Sequence, residues 1–147
     1  MNKSIILCLG ITCLAACIKE DSTEDLTPSV PKKELLAGES SKVWVVDKII
    51  DNGIDITSTI QPCRQDDNLQ FFTNTSFKND EGTTKCANSD PQTIEQGTWR
   101  FSANETELSM YSAADPVVVT ILKLSATEFD YTKTINGQVI QVEHILN

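Results

Sequence analysis

Apolar and polar residues alternate along most of the chain beyond its first third, and this alternation predicts β-strands. Side chains of a strand point to opposite faces in turn, so a half-buried strand repeats its apolar residues at every second position. Gly97, Trp99 and Phe101 share one face of such a segment. Thr98 and Arg100 lie on the other face. The predicted strands cover residues 43–50, 69–72, 75–79, 94–101, 108–111, 117–124, 129–135 and 138–146.

Turn signals between these segments predict hairpins. Asn52-Gly53 and Asn136-Gly137 are the strongest, because both residues of the favoured two-residue turn need positive φ angles. Asp115-Pro116 precedes the segment 117–124, which is apolar on both faces. We expect that segment to be central in the sheet or covered on its outer side.

The order of the strands favours an all-β fold, an antiparallel up-and-down barrel of about eight strands. Closure removes the sheet edges that would otherwise pair with other chains. A barrel of this size has room for packed side chains or for one small ligand. An open sandwich is the alternative. One short helix is expected, around Lys33–Leu36 or within Thr57–Gln61.

The first residues indicate an export signal. An apolar run from Ile5 to Leu14 follows Lys3 and ends in two alanines and Cys17. A basic start, an apolar stretch and small residues before the cleavage site are typical of a secretory signal. The run is too short for a transmembrane helix, which needs roughly 20 apolar residues. The stretch Leu14-Ala15-Ala16-Cys17 resembles the lipobox of bacterial lipoproteins, which implies that Cys17 becomes the first mature residue and carries the acyl chains.

The sequence therefore predicts a signal peptide over residues 1–16, a lipidated flexible tether over 17–34 and a barrel domain over 35–147. The tether is acidic and has few apolar residues, so it cannot bury enough surface to offset its ordering entropy. Lys19-Glu20-Asp21 resembles the acidic export signals of surface lipoproteins in Bacteroidota, although a solvated linker also explains it. We expect a lipid-anchored protein at the outer membrane or the cell surface.

The cysteines predict one disulfide. Cys8 and Cys13 leave with the signal and Cys17 is used for lipidation, so Cys63 and Cys86 remain. A single remaining pair in an exported chain predicts a disulfide, and two free buried thiols are the alternative.

The charge of the chain argues against two classes of partner. It has 21 acidic and 12 basic residues and a formal net charge of −9. Nucleic acids need a clustered basic face, and anionic lipid surfaces attract basic segments. We therefore expect no nucleic-acid partner, and membrane contact through the anchor on Cys17 alone.

Several motifs together resemble the lipocalin-like domain of Bacteroidota lipoproteins. They are Lys42-Val43-Trp44, Pro62-Cys63-Arg64-Gln65-Asp66-Asp67, Gly97-Thr98-Trp99, Glu107-Leu108-Ser109-Met110 and Leu124-Ser125-Ala126-Thr127-Glu128-Phe129. The resemblance covers about residues 35–147 and implies an eight-stranded barrel-like fold. Lys42 stands where that family often has glycine, so the start of the first strand is expected to differ.

Candidate ligand-binding residues are the large aromatic side chains and the single histidine. They are enough to line a small apolar cavity, and they are equally what a packed core requires. We favour a filled core or a small, closed cavity. The candidates are Trp44, Phe71, Trp99, Phe129, Tyr131 and His144.

Other polar residues have two explanations each. His144 shares strand parity with apolar neighbours and is either a hydrogen-bonded histidine near a barrel end or a ligand contact in the lumen. Lys123 and Lys133 either reach the lumen, where they would pair with an anionic ligand, or extend to solvent at strand ends. Asp66 and Asp67 are better explained by turn formation and solvation than by calcium binding, and Asp66 is a candidate to cap the loop that the disulfide holds.

No motif for catalysis, cofactor binding or a metal site stands out. With one histidine and no nucleophile motif, a Ser/His/Asp apparatus is not expected. We predict a non-catalytic protein that binds a small apolar or amphipathic ligand. The alternative is an interaction subunit of an outer-membrane or surface complex, with a filled barrel and an envelope protein as its partner.

Overall fold

The computed structural model describes residues 29–113 and 116–147. The predicted signal peptide, Cys17 and the tether as far as residue 28 lie outside the described residues. None of the helices within the described ranges is long and apolar enough to cross a membrane.

Nine strands and three short helical segments occur within the described residues. The strands are β1 (Ser41–Asp51), β2 (Ile54–Asp55), β3 (Asn68–Phe72), β4 (Ser76–Asp80), β5 (Thr93–Phe101), β6 (Glu107–Tyr111), β7 (Val117–Leu124), β8 (Glu128–Ile135) and β9 (Gln138–Leu146). The helical segments are α1 (Lys32–Ala37), a 3-10 turn (Thr57–Thr59) and α2 (Pro62–Gln65).

The strands form one antiparallel sheet that closes on itself. The order is β2-β1-β3-β4-β5-β6-β7-β8-β9, and β1 also pairs with β9. Strand β1 is long enough for both neighbours, since Ser41–Val45 pairs with β3 while Trp44–Asp51 pairs with β9. The prediction of an eight-stranded up-and-down barrel is confirmed, and the short β2 is an additional strand on β1.

Both predicted hairpin turns have the backbone that their residues favour. The φ angles are 52° at Asn136 and 81° at Gly137. They are 48° at Asn52 and 79° at Gly53. Positive φ at both central positions matches the twist of a two-residue hairpin, and a β-branched residue would be strained there.

Aromatic side chains fill the end of the barrel next to α1. Trp44, Phe71 and Phe129 are fully buried there. The ring of Phe71 meets those of Trp99 and Phe129 edge-on, each at a centroid distance of 5.9 Å. Such edge-to-face packing adds stability beyond the area that the rings bury, so this half of the barrel is a packed core.

Helix α1 closes that end of the barrel. Its Leu36 is fully buried, and the indole Nε1 of Trp44 donates a 2.9 Å hydrogen bond to the Leu36 carbonyl. Lys42 donates to the carbonyls of Leu35 (2.8 Å) and Ala126 (2.9 Å). Its ammonium also lies 5.3 Å from the centroid of the Trp44 ring. The lysine at the start of β1 therefore ties α1 to the β7–β8 loop.

One expectation about local structure needs correction, and another is met in one of its two forms. One helix was expected in either of two segments, but both are helical and α2 follows them. Pro62 at the first helical position explains α2, since its fixed φ suits a helix start. Strand β7 has partners on both sides, which agrees with the first of the two expectations for it, while its outer face is exposed: Val118 is 51% and Leu122 is 53% exposed.

The predicted disulfide joins α2 to the loop between β4 and β5. Cys63 and Cys86 are bonded, with their Cα atoms 5.1 Å apart. Beside this bond, Oδ2 of Asp66 accepts hydrogen bonds of 2.7–2.9 Å from the backbone and hydroxyl groups of Thr83 and Thr84. The hydrogen bond from the hydroxyl of Thr84 has the largest effect on the pKa of Asp66, followed by that from Thr83, and both lower this pKa. Asp66 thus caps the loop as proposed.

Candidate ligand-binding cavity

The half of the barrel away from α1 encloses a cavity of about 550 Å³. Its rim is formed by the β8–β9 hairpin, including Asn136, and by Ile56 and Ile60 around the 3-10 turn. This volume lies within the roughly 300–1,000 Å³ of small-molecule sites. The barrel is therefore packed at one end and hollow at the other, rather than filled throughout or enclosing only a small, closed cavity.

Apolar side chains make up the larger share of the cavity wall. They come from the inward positions of most strands, because the alternation that builds the packed end continues towards the rim. Those that line the cavity are Val46, Ile49, Ile56, Ile60, Leu69, Phe77, Met110, Val117, Ile135, Ile140 and Val142.

Three polar side chains lie together on the wall that β8 and β9 form. Tyr131 and Lys133 are two positions apart on β8 and share its inner face, and both line the cavity. Tyr131 pairs in register with Val142, which is two positions before His144 on the same face of β9. The rings of Tyr131 and His144 are stacked at a centroid distance of 5.3 Å. We call Tyr131, Lys133 and His144 the polar wall.

His144 is uncharged at neutral pH. It is 4% exposed, and its Nδ1 has no hydrogen-bond partner among the described residues. Burial lowers the pKa of its imidazole to about 4, and the nearby charge of Lys133 contributes. Burial likewise raises the pKa of Tyr131, so its hydroxyl stays protonated. The side chain of His144 lines the cavity, and a hydrogen bond with the backbone of Phe129 opposes the lowering of its pKa.

Lys133 reaches the lumen and Lys123 does not. Burial lowers the pKa of Lys133, while the negative charge of Glu95 acts in the opposite direction. A β-bulge between Ile121 and Lys123 breaks the alternation on β7, and Lys123 forms an exposed ion pair with Glu128 at 2.8 Å. Of the two lysines, Lys133 therefore lines the cavity, whereas Lys123 extends to solvent.

The opposite part of the wall carries two carboxylates. Glu95 accepts a hydrogen bond from the hydroxyl of Ser112. Burial raises the pKa of Asp67, and the neighbouring Glu81 adds to this effect, whereas Arg64 opposes it. No group of three or more His, Cys, Asp or Glu side chains in the described part of the chain could hold a metal ion.

The predicted site residues separate into two groups. Tyr131 and His144 line the cavity. Trp44, Phe71, Trp99 and Phe129 are buried in the packed end and are absent from the cavity wall. Strand alternation shows whether a residue faces the inside of the barrel. It does not show whether that residue lies in the packed end or in the half that contains the cavity.

The apolar cavity residues that sequence reasoning did not single out could have been found by parity alone. Phe77, Met110, Ile140 and Val142 all occupy inward strand positions. The rim residues around the 3-10 turn carried no such signal, because that segment has no strand periodicity.

Comparison with known proteins agrees with the barrel geometry. The family model of the lipocalin-like domain matches residues 41–131, which is more than half of the chain and extends from the start of β1 into β8. Lys133 and His144 lie beyond the matched residues. No curated protein matches the chain. The chain belongs to the lipocalin-like domain family.

Proposed function

We propose that the protein binds a small apolar or amphipathic molecule in the barrel cavity. The observation that carries this proposal is the cavity of about 550 Å³ in the half of the barrel opposite α1. A filled barrel would have favoured the alternative role as an interaction subunit. Burial of apolar ligand surface supplies roughly 25 cal/mol per Å², so the aliphatic and aromatic wall provides the main binding free energy.

The cavity residues support binding without catalysis. The lining contains no serine, threonine or cysteine among the described residues, so no hydroxyl or thiol nucleophile faces a bound molecule other than the Tyr131 phenol. A general base works best with a pKa near the operating pH. The pKa of about 4 makes His144 a weak base at neutral pH.

We further propose that the protein is anchored through acyl chains on Cys17 at the outer membrane or the cell surface. The sequence pattern ending at Cys17 supports this, and buried acyl methylenes contribute about 0.8 kcal/mol each. The chain reaches the domain through α1, at the packed end. An anchor upstream of α1 would therefore be attached at the end opposite the cavity rim.

The test is binding of the apolar dye N-phenylnaphthylamine, followed by its fluorescence. Ile140 lines the cavity, whereas its neighbour Val139 lies on the outer face and is 58% exposed. A tryptophan at position 140 would fill part of the cavity, so Ile140→Trp should weaken dye binding about tenfold or more. Val139→Trp adds the same side chain outside the barrel and should bind as the wild type does.

Circular dichroism of both variants shows whether each retains the fold. Equal dye affinity of folded Ile140→Trp and wild type, or no dye binding by either, would contradict the proposed function.

A further inference from the structure

We propose that the cavity selects amphiphiles that carry one negatively charged group, and that Lys133 binds this group inside the barrel. This inference rests on the proposed function and specifies the class of ligand. Two of its residues, Lys133 on β8 and His144 on β9, lie beyond the segment matched by the family model.

Lys133 forms no close ion pair, and the carboxylate of Glu95 acts on it only from a longer distance. Ion pairs within the described residues involve Lys48, Lys78 and Lys123, and none involves Lys133. Its amino group also has no hydrogen bond to another described residue, although the side chain lines the cavity. A cation removed from water without a partner is unfavourable. An anion in the cavity would supply that partner.

Two uncharged side chains next to Lys133 each have an atom without a hydrogen bond to the described residues. Nδ1 of His144 is buried without a hydrogen bond, and the Tyr131 hydroxyl makes none to the described residues. Buried polar atoms are usually hydrogen-bonded, so Nδ1 of His144 indicates a partner that a ligand would supply. The protonated Tyr131 hydroxyl is a donor, and a hydrogen bond to an ionised acceptor is about twice as strong as a neutral one.

Both carboxylates of the cavity accept a hydrogen bond, whereas the amino group of Lys133 makes none to the described residues; Oδ1 of Asp67 is nevertheless buried without a partner. Glu95 accepts the hydroxyl of Ser112, and Asp67 has the positive charge of Arg64 nearby together with a hydrogen bond from the backbone of Gly82. A ligand anion would therefore give the amino group of Lys133 a hydrogen bond that no described residue supplies. This difference favours an anionic group over a cationic one.

Apolar side chains opposite the polar wall would contact the hydrocarbon part. Phe77 on β4 faces the lumen across the barrel from β8, and Met110 on β6 lines the cavity two strands away from β8. Ile56 and Ile60 continue this surface to the rim. A ligand with its charged group at Lys133 and its hydrocarbon tail along these residues would contact both the polar wall and the apolar lining.

Isothermal titration with dodecanoate, dodecanol and dodecylamine tests the inference on the purified protein. A charge-assisted hydrogen bond contributes enough for dodecanoate to bind about tenfold or more tightly than dodecanol. Lys133→Met should remove this preference while keeping the affinity for dodecanol. Lys133→Gln, which keeps a polar side chain, should show the same loss.

Lys123→Met is the matched control, because it removes the same charge from the outer face of the barrel. It should keep the wild-type preference. Equal binding of dodecanoate and dodecanol, a preference that survives Lys133→Met, or tightest binding of dodecylamine would overturn the inference and leave the proposed function intact. Failure of all three compounds and of N-phenylnaphthylamine to bind would contradict both.

Discussion

The phenol ring of Tyr131 lies on the imidazole of His144, with the centroids 5.3 Å apart and the planes inclined by 25°. The two residues come from neighbouring strands, and Phe129 in the packed end is within 5.9 Å of the imidazole centroid. The stack therefore joins the packed core to the cavity. Burial keeps both rings uncharged at neutral pH, so polar groups lie deep in the barrel without the cost of an unpaired charge.

The stability of the domain should fall as the pH falls from neutral towards 4. The pKa of His144 is about 4 in the folded protein against 6.5 for an ordinary histidine. Between these values the unfolded chain binds a proton that the folded protein does not, so acid favours unfolding. One unit of pKa difference corresponds to about 1.4 kcal/mol. We expect the titration of His144 alone to lower the free energy of unfolding by about 2 kcal/mol between pH 7 and pH 5.

Urea denaturation at several pH values measures this effect, with His144→Gln as the control. The glutamine variant retains the titrating carboxyls and Lys133 but lacks the imidazole. Its unfolding free energy should change less with pH than that of the wild type. Parallel pH profiles for the two proteins would show that His144 is not shielded from protons as the structure implies.

Loss of the disulfide should destabilise the domain. Cys63 and Cys86 are separated by 23 positions, and closing a loop of this length stabilises the fold by about 3 kcal/mol. Replacing both cysteines with serine should lower the thermal midpoint, and treating the wild type with dithiothreitol should lower it to a similar value. A midpoint that does not respond to either change is incompatible with the bond.

The closed end of the barrel should depend on the indole of Trp44. Trp44→Phe keeps an aromatic ring but removes the hydrogen bond to the carbonyl of Leu36. A buried carbonyl without a partner costs about 1–3 kcal/mol, so the free energy of unfolding should fall by that amount. Dye affinity should stay at the wild-type value, because Trp44 does not line the cavity. A large loss of binding in the folded variant would mean that the two ends are not independent.

Cys17→Ser tests the proposed lipid anchor. Without a thiol to acylate, the protein should move from the membrane fraction to the soluble fraction when the cells are lysed and centrifuged. The denaturation midpoint of the domain should not change, since the described domain begins well after Cys17. A variant that stays in the membrane fraction would rule out anchoring at this residue.

Most of the barrel could be predicted because its determinants are local. Alternation and the two Asn-Gly turns placed the strands within a few residues of their positions, and a residue such as Tyr131 was assigned to the correct face. The face on which Lys123 lies could not be predicted, because the bulge after Ile121 shifts the alternation of β7. A bulge is set by the pairing of two strands, which one segment of sequence does not show.

The cavity could be predicted only in part. Whether an inward aromatic such as Phe71 lies in the core or beside a ligand depends on its height in the closed barrel, and height follows from the register of several strands. The segment from the 3-10 turn to α2 is held by the disulfide and by the Asp66 cap rather than by strand periodicity. For this reason the rim residues could not be identified beforehand.

Native mass spectrometry of the protein purified from its own host tests the central claim most directly. The wild type and Val139→Trp should carry a bound small molecule that Ile140→Trp lacks, because only the tryptophan at position 140 enters the cavity. If the wild type is free of any small molecule, or if Ile140→Trp retains the same one, the claim that the barrel holds a ligand is contradicted.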